Sequence, residues 1–365
     1  MPRLRRSDPS VPGITRRRRG RGWSYAGPNG DPIRDREVCA RINALVIPPA
    51  WTDVWICPWP NGHIQALGTD AAGRRQYLYH DVWRARRDAQ KFDRILSFAE
   101  RLPDMREQIR ADLATPGMTR TRVLACAARL LDIGFFRIGG EEYAETNGSY
   151  GLATIRREHT SLDDDTITFD YVAKSGKERH VAVGDPEVIE VVLAMLWRDD
   201  DGPELLAYQD EDDPGGQWID VKSRDINAYL GHVSGLVGED ESGEVTAKDF
   251  RTWSATVLAA VALAVSSPSA QSVTARKRAI SRMYQEVAHH LGNTPAVCRT
   301  SYVHPRIVDL FNSGVTIVDE LSEIGADADP GGLSVHGAVE AAVLDMLQDP
   351  KARRRAGAVE ARRAS

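Results

Sequence analysis

The chain has 365 residues, and its 47 lysines and arginines against 52 aspartates and glutamates give a formal net charge of -5. Taken whole, this acidic balance argues against a nucleic-acid-binding protein, because such domains are usually strongly basic. A hydrophobic fraction of 42% excludes disorder of the whole chain and is sufficient for two domains of ordinary size. The longest apolar run, residues 255–265, is about half as long as a bilayer requires, so we expect no membrane-spanning segment.

The average charge conceals strongly charged segments. Residues 1–21 contain eight arginines and one aspartate, and residues 74–94 hold seven lysines and arginines against three aspartates. The last segment, 351–365, is also basic, whereas acidic residues are concentrated at 199–213 and 239–244. Charge position is therefore more informative than net charge.

The cysteine spacing and the absence of nucleotide-binding motifs restrict the classes of protein to which this chain could belong. Cys39, Cys57, Cys126 and Cys298 lie at wide spacings without a CxxC pair, as is typical of a reduced cytoplasmic protein without a structural zinc. The basic N-terminal stretch continues into residues 22–24 rather than into an apolar core, so we expect no signal peptide. No GxxxxGK[ST] loop and no GxGxxG after a strand occur, so the sequence predicts no cofactor and no metal.

Composition predicts an α+β protein of four segments. Residues 1–22 form an Arg-rich arm with little to bury, which we expect to be disordered. Residues 23–102 contain short apolar runs broken by Pro and Gly, a pattern typical of a small sheet-bearing domain. After a boundary at Pro103, residues 103–330 predict a larger, mainly helical domain with a small β-hairpin sheet. The sequence predicts a helical tail with a basic tip over residues 331–365.

The predicted elements follow in chain order. Residues 83–101 predict a linking helix, and apolar positions at helical spacing predict a second helix over 118–138 that stops at Gly139. Later elements are strands at 152–157, 166–174 and 177–183, helices at 186–197, 223–236, 246–265 and 272–291, and a helical segment at 334–363. The dipeptide Ser175-Gly176 suits a two-residue hairpin turn. Thr246 with Asp249 has the form of a capping box, and Thr294-Pro295 starts another short helix.

Several polar residues occur in unusual contexts. Arg137 follows two phenylalanines at the end of a largely apolar helix, and Arg251 lies in the first turns of another. A buried arginine cannot neutralise itself by losing a proton, so it must face an anion, and for one such residue alone a carboxylate partner is the favoured interpretation. Strand alternation puts Lys174 at a hairpin tip, opposite the apolar face. Asn293 lies in a tight corner, and Tyr302 lies about two turns along the following helix.

These residues form an ordered series. It consists of Phe136-Arg137-Ile138-Gly139, Val172-Ala173-Lys174, Lys248-Asp249-Phe250-Arg251-Thr252, and Leu291-Gly292-Asn293-Thr294-Pro295 through to Tyr302. The series resembles the poxvirus-type and bacterial type IB DNA topoisomerases. Residues 47–54 and 73–80 resemble the small-domain signatures of the same family. The resemblance covers roughly residues 23–320.

The resemblance implies a reaction and the residues that carry it. Relaxation of supercoiled duplex DNA would proceed by attack of Tyr302 on a phosphodiester, giving a 3′-phosphotyrosyl link and a free 5′-hydroxyl, then strand swivelling and religation without ATP or metal. Arg137 and Arg251 would donate to non-bridging oxygens, and Lys174 would be the general acid that protonates the departing 5′-oxygen. Asn293 stands where many members have histidine, and it can donate an N–H but cannot carry a proton.

The resemblance also implies a clamp on double-stranded DNA. The small domain, 23–102, would act as an N-terminal DNA clamp that closes with the catalytic domain around the duplex. Contacts to one groove and to the backbone would come from Arg74, Arg75, Gln76, Tyr77 and Tyr79. Phosphates near the cut would be met by Tyr143, Arg156 and Arg157. The expected working form is a cytoplasmic, nucleoid-associated monomer whose DNA affinity falls steeply with salt.

Two other functions remain open at this point. A tyrosine site-specific recombinase uses two arginines, a lysine and a tyrosine on a related fold, but it usually has histidine at the positions of Lys248 and Asn293. A non-catalytic DNA-binding protein on the same fold is the alternative from another class. Retention of all four catalytic residue types argues against it.

Overall fold

The structure, a computed structural model, describes residues 3–210, 216–236, 245–327 and 337–350. The chain divides into two compact units, Met1–Asp93 and Arg94–Ser365. The first carries a sheet and the second is mainly helical with two small sheets, so the predicted α+β class is confirmed. Each unit has its own buried apolar core.

The first unit is built on a five-stranded antiparallel sheet with the strand order β2-β1-β3-β4-β5. Its elements are β1 Ile14–Arg19, β2 Gly22–Ala26, α1 Arg36–Ala44, β3 Thr52–Ile56, β4 Ile64–Thr69 and β5 Arg75–Tyr79. Asp35 caps α1 by accepting from the backbone N–H groups of Glu37 and Val38. Ile42 of this helix packs with Ile14 and Ile56 of the sheet, so the helix covers one face of it.

The N-terminal segment differs from the prediction of a disordered arm over residues 1–22. Strand β1 pairs with both β2 and β3, and Ile14 is buried in the core. Arg16 donates to the carbonyl oxygens of Ile47, Pro48 and Trp51, so its charge is held by backbone rather than by water. The prediction failed because it counted arginines and overlooked strand pairing, one inward apolar residue and one carbonyl-bound guanidinium, which together hold this segment in the sheet.

Helix α2, Asp81–Leu113, crosses the boundary that was predicted at Pro103. Proline normally costs a helix interior about 3 kcal/mol. Here Pro103 is exposed, while apolar residues at helical spacing on the other face are buried, namely Ile95, Phe98, Leu102, Met105 and Ile109. Burial of that stripe offsets the proline penalty, so the helix continues and the division between units falls at residue 93.

The second unit follows the predicted order closely. Its elements are α3 Arg120–Gly134, α4 Glu141–Asn147, β6 Thr160–Asp163, β7 Thr166–Ala173, β8 Lys177–Val183, α5 Pro186–Leu196, β9 Ala207–Gln209, β10 Trp218–Asp220, α6 Ser223–Ser234, α7 Ala247–Ser266, α8 Val273–Leu291, α9 Pro295–Ser301, α10 Pro305–Asn312, α11 Val318–Asp327 and α12 Ala338–Gln348. Strands β6, β7 and β8 form one antiparallel sheet, and β9 pairs with β10. The strand predicted at 152–157 is instead two short 3-10 turns, and the pairing strand begins at residue 160.

Helix α7 is the central element of the second unit. It packs against α3, α6, α8, α10, α11 and α12, and most of its residues are buried. By length and composition alone α7 could cross a bilayer, the one such helix among the described residues, but its burial accounts for its apolar sequence. The predicted capping box is present, because Asp249 accepts from the backbone and the hydroxyl of Thr246.

Several predictions concern residues that the structure does not describe. The basic tip 351–365 lies outside the described residues, as do residues 211–213 and 239–244 of the acidic segments. The predicted tail 331–365 is therefore represented by residues 337–350 alone, most of which form α12.

Candidate active site

A cavity of about 290 Å³ in the second unit collects four of the five predicted catalytic residues. They are Arg137, Lys174, Arg251 and Tyr302, and Asn293 is hydrogen bonded to the first of them. Other residues that line the cavity are Ile138, Gly139, Gly140, Tyr143, Ser149, Tyr150, Ala247 and Lys248. The fold thus brings together side chains from α7, the β7–β8 hairpin and the loops after α3 and α9.

Arg137 reaches the cavity because α3 ends sharply before it. Phe135 adopts a left-handed backbone conformation with φ 53°, which turns the chain away from the helix axis. Gly139, with φ 83°, continues the turn where a Cβ would approach Gly151 to 2.9 Å. The Arg137 guanidinium donates to the carbonyl of Gly292 at 3.0 Å and to the Asn293 side-chain oxygen.

Arg251 is almost fully buried, with 3% of its surface exposed. Its guanidinium donates to the carbonyl oxygens of Phe135 and Leu291, the second at 2.7 Å. Its carbon Cζ lies 5.5 Å from the centre of the Tyr302 ring. Burial lowers the pKa of Arg251 to about 10, partly opposed by Tyr302, so the residue is still cationic at neutral pH.

Neither arginine pairs with a carboxylate among the described residues. Both are held instead by carbonyls at the C-terminal end of α8, where a helix leaves its last C=O groups without intrahelical partners. These carbonyls orient a guanidinium without cancelling its charge. The arrangement therefore disfavours the simple interpretation of a carboxylate-paired arginine and leaves two oriented cations for an anionic ligand.

Lys174 extends from the tip of the β7–β8 hairpin. The predicted alternation is confirmed, since Ile167, Phe169 and Tyr171 are buried while Lys174 is exposed. Ser175 and Gly176 both have positive φ, 69° and 68°, and Ala173 pairs with Lys177, so the connection consists of the three residues 174–176 rather than the predicted two-residue turn. The side chain of Lys174 lines the cavity at the end of a rigid strand pair.

The corner after α8 carries Asn293. Gly292 ends α8 with φ 62°, and the backbone N–H of Asn293 donates to the carbonyl of Ala288 at 2.9 Å. Thr294 then caps α9 as predicted. Because the Asn293 side-chain oxygen accepts from Arg137, its Nδ2 group points the other way, and this buried nitrogen has no hydrogen-bond partner in the described part of the chain. An amide N–H can donate to a phosphate oxygen, but the Asn293 side chain lies near the Cys298 thiol and lines the groove on the other side of the corner rather than the cavity.

Tyr302 follows the last residue of α9. Its backbone N–H donates to the carbonyl of Cys298 at 3.1 Å, and its own carbonyl accepts from the hydroxyl of Thr256 at 3.3 Å. The same hydroxyl accepts from the backbone N–H of His304 at 3.1 Å. A buried threonine of α7 therefore ties down the chain on both sides of Tyr302, on the helix that also carries Arg251.

The small-domain candidates do not share one face. On β5, Arg75, Tyr77 and Tyr79 are exposed on the same side, and the two tyrosine rings stack with centroids 6.1 Å apart. Gln76 lies on the opposite side of the strand and donates to Asp70 at 2.9 Å. The mostly exposed Arg74 side chain forms an ion pair with the same carboxylate at 2.9 Å.

The three predicted phosphate-contacting residues of the second unit have different environments. Tyr143 lines the cavity, and Arg156 lies over the Tyr150 ring. By contrast, Arg157 uses all three guanidinium nitrogens inside the protein, on the carbonyl oxygens of Leu196, Arg198 and Asp200. Arg157 thus holds the loop after α5 in place, and its phosphate contact stays a prediction.

Sequence reasoning missed several residues near the cavity. Lys248 lines it one helical turn before Arg251, a spacing that could have identified it. Lys177 and Arg179 donate to backbone carbonyls of the same corner, and only the folded structure reveals that contact. Within the described residues no group of three or more His, Cys, Asp or Glu side chains is placed to hold a metal ion.

Comparison with protein-family models gives two matches. The family described as eukaryotic DNA topoisomerase I, catalytic core, matches residues 80–320. The family described as bacterial DNA topoisomerase IB, N-terminal domain, matches residues 22–70. Together the two matches cover parts of both compact units.

Comparison with individual curated proteins also gives matches to DNA topoisomerases. The chain is 30% identical over 293 residues to the DNA topoisomerase 1B of Acanthamoeba polyphaga mimivirus, an alignment that covers 79% of this chain and 84% of that protein. It is 20% identical over 247 residues to the DNA topoisomerase I of monkeypox virus and to the DNA topoisomerase 1B of vaccinia virus, strain Copenhagen. Each of these alignments covers 67% of this chain and 71% of the viral protein.

Proposed function

The chain belongs to the type IB DNA topoisomerases, and on that premise we propose that its cavity breaks and rejoins one strand of duplex DNA through Tyr302. The two cationic arginines held by carbonyls rather than by carboxylates carry this proposal. A pentacoordinate phosphoryl transition state concentrates negative charge on its non-bridging oxygens. Arg137 and Arg251 are oriented cations, which is what stabilisation of that charge requires.

The proposed step balances as follows. The phenolic oxygen of Tyr302 forms a bond to phosphorus and releases its proton to solvent, while the bond from phosphorus to the 5′-oxygen breaks. Lys174 gives its proton to that departing oxygen, a role that arginine cannot fill because its pKa is above about 12. The Nδ2 group of Asn293 donates to a non-bridging oxygen as a neutral group. The products are a 3′-phosphotyrosyl link and a free 5′-hydroxyl.

Religation reverses the same step. After the nicked strand swivels, the 5′-hydroxyl returns its proton to Lys174 and attacks phosphorus, which displaces Tyr302. The phosphotyrosyl bond conserves the phosphodiester energy, so we propose that neither ATP nor a metal ion is needed.

The proposed working form is a cytoplasmic, nucleoid-associated monomer that acts on double-stranded DNA without attachment to a membrane. Every cavity-lining residue comes from the second unit. The four cysteines are free thiols, as expected for a reducing compartment. The exposed face of β5 supports a role for the first unit in holding the duplex. Size-exclusion chromatography with light scattering, with and without a short duplex, tests the oligomeric state.

Plasmid relaxation tests the function. We expect the protein to relax both positively and negatively supercoiled plasmid in EDTA without ATP, and we expect Tyr302→Phe to abolish relaxation and the covalent adduct while retaining DNA binding. Denaturation during turnover should trap the protein on the 3′ end of the nicked strand. Wild-type protein that binds but never relaxes would support the non-catalytic alternative. Strand exchange between two specific sites would support the recombinase.

A further inference from the structure

The β7–β8 hairpin is fastened to the corner after α8 by two basic residues that the proposed reaction does not use. The ammonium group of Lys177 donates to the carbonyl oxygens of Gly292 at 3.3 Å and Asn293 at 3.0 Å. The Arg179 guanidinium donates to the carbonyl of His290 at 3.1 Å. Strand β8 is therefore attached to the end of α8 through its first and third residues.

The same corner also holds the two cavity arginines. Arg137 shares the Gly292 carbonyl with Lys177, and Arg251 takes the carbonyl of Leu291. The C-terminal end of a helix attracts cations, because its last carbonyls are unpaired and its dipole is negative there. Four cations thus share one short run of backbone, and this run sets their relative positions.

The hairpin transmits the position of Lys177 to Lys174. Lys174 is the first residue of the three-residue connection, and Lys177, the first residue of β8, pairs across the ladder with Ala173, the residue before Lys174. Lys174 itself makes no hydrogen bond among the described residues, so its place in the cavity depends on the strand that carries it. Lys177 does not line that cavity; it lies in a groove on the other side of the corner with Arg179 and His289.

We propose that Lys177 is a positioning residue that fixes Lys174 relative to Arg137 and Asn293, so that protonation of the departing 5′-oxygen depends on the contact of Lys177 with the corner. This inference rests on the proposed function of Lys174. A displacement of about 1 Å at a reacting group can lower a rate a hundredfold, so loss of one such fastening has a measurable effect.

Single-turnover cleavage of a short duplex tests the inference. We expect Lys177→Met to cleave at least tenfold more slowly than wild type, with its DNA dissociation constant changed by less than threefold. Lys177→Arg keeps donors for the two carbonyls, and we expect it to remain within threefold of wild type. The matched control is Lys277→Met, which removes the same charge from an exposed position of α8 and should leave cleavage unchanged.

A second substrate separates positioning of Lys174 from general loosening of the site. If the 5′-bridging oxygen is replaced by sulfur, the leaving group is a thiolate, which departs without a proton because thiols are far stronger acids than alcohols. We expect Lys174→Met and Lys177→Met both to cleave this substrate within threefold of wild type. A Lys177→Met defect that persists on the sulfur substrate, or no defect on the oxygen substrate, would overturn the proposal.

The two proposals fail in different ways. Wild-type protein that cleaves neither substrate contradicts the proposed function and removes the basis of the inference with it. Wild-type protein that cleaves both, beside a Lys177→Met variant indistinguishable from it, contradicts the inference alone. A folding defect in Lys177→Met would appear as a lower thermal midpoint and as an equal loss on both substrates, which also overturns the positioning role.

Discussion

Arg251 shows how a single residue can be kept charged in a nearly dry environment. A buried guanidinium without a carboxylate is unfavourable unless its N–H groups are satisfied. Two backbone carbonyls supply part of that requirement, and Nε has no partner among the described residues. An anion bound in the cavity would supply a further acceptor for this guanidinium, so we expect Arg251 to contribute to the affinity of the site for phosphate.

Replacing Arg251 by lysine tests this interpretation. A lysine ammonium is a point donor and cannot reach the carbonyls of Phe135 and Leu291 while also donating to a phosphate oxygen. We expect Arg251→Lys to lower the single-turnover cleavage rate about a hundredfold, the usual effect of losing one oriented transition-state donor. Arg101→Lys, at an exposed ion pair with Asp104, is the control. Cleavage by Arg251→Lys within threefold of wild type would contradict the assigned role.

At the scale of single residues, the sequence identified candidates that have a distinctive context among their immediate neighbours in the chain. Arg137, Lys174 and Arg251 stood out because a charge followed an apolar run or ended a strand, and the structure brings all three to one cavity. The backbone contacts of Arg157 and Lys177 were not foreseen, because their partners lie up to 116 positions away in the chain. Hydrogen bonds to distant backbone carbonyls leave no local pattern in a sequence.

At the scale of elements, α12 is attached to the helix that carries Arg251. It lies beyond residue 320, where the matched catalytic-core family ends. Glu340 accepts from the indole nitrogen of Trp253 at 2.9 Å and from both terminal nitrogens of Arg106, which also binds Asp132. Glu340 is mostly buried, and this network joins α2, α3, α7 and α12.

Removal of the Glu340 carboxylate should destabilise the second unit. We expect Glu340→Ala to lower the free energy of unfolding by about 2 to 3 kcal/mol, because Arg106 keeps Asp132 but loses one partner and the Trp253 N–H is left without its acceptor. Urea denaturation followed by tryptophan fluorescence measures the change. Glu323→Ala, an exposed glutamate of α11, should change the same quantity by less than about 0.5 kcal/mol. Equal effects of the two variants would exclude a role for the network.

The stability of the segment before β1 should depend on pH. The backbone N–H of Ser7 donates to Nδ1 of His63 at 2.8 Å, which requires that nitrogen to be unprotonated. Burial lowers the pKa of His63 below its usual 6.5, and the nearby charge of Arg6 lowers it further. Because the unfolded chain then binds more protons than the folded one, stability contributed by His63 is complete above about pH 6.5 and declines as the pH falls toward the folded pKa.

Hydrogen exchange measures this dependence. We expect the Ser7 amide, corrected for its intrinsic exchange rate, to lose protection between pH 7 and pH 5 in wild type. His63→Gln keeps a side-chain oxygen that can accept from Ser7 but does not titrate, so its protection should be nearly constant over that range. His180→Gln, at an exposed pair with Asp170, should behave as wild type. Protection of Ser7 that is independent of pH in wild type would disprove the mechanism.

Elements with strong local signals were predicted well, and those that depend on distant partners were not. The hairpin of β7 and β8 and the capped start of α7 follow from a turn dipeptide and a capping box, which act over a few residues. Strand β1 was missed because its stability comes from pairing with β3, some 40 residues later. The continuation of α2 through Pro103 likewise depends on a buried face that a breaker residue conceals.

At the scale of the whole molecule, an acidic chain acts on a polyanion. The net charge of -5 includes arginines that are folded into the first unit rather than carried on a free arm. Arg16 donates its N–H groups to backbone carbonyls, whereas Arg17, Arg18 and Arg19 are exposed along β1. If position rather than net charge determines DNA affinity, these three residues should contribute to binding even though the net charge of the molecule is negative.

Two triple variants separate position from net charge. Replacing Arg17, Arg18 and Arg19 by glutamine takes the net charge from -5 to -8, and replacing the exposed Asp163, Asp164 and Asp165 by asparagine takes it to -2. Each lost phosphate contact reduces the slope of log affinity against log salt concentration by about 0.9. We expect the magnitude of this slope to be smaller by about 2 to 3 in the arginine variant and to be unchanged in the aspartate variant. Opposite and equal shifts in the affinities of the two variants would mean that net charge governs binding, and that β1 makes no specific contact with DNA.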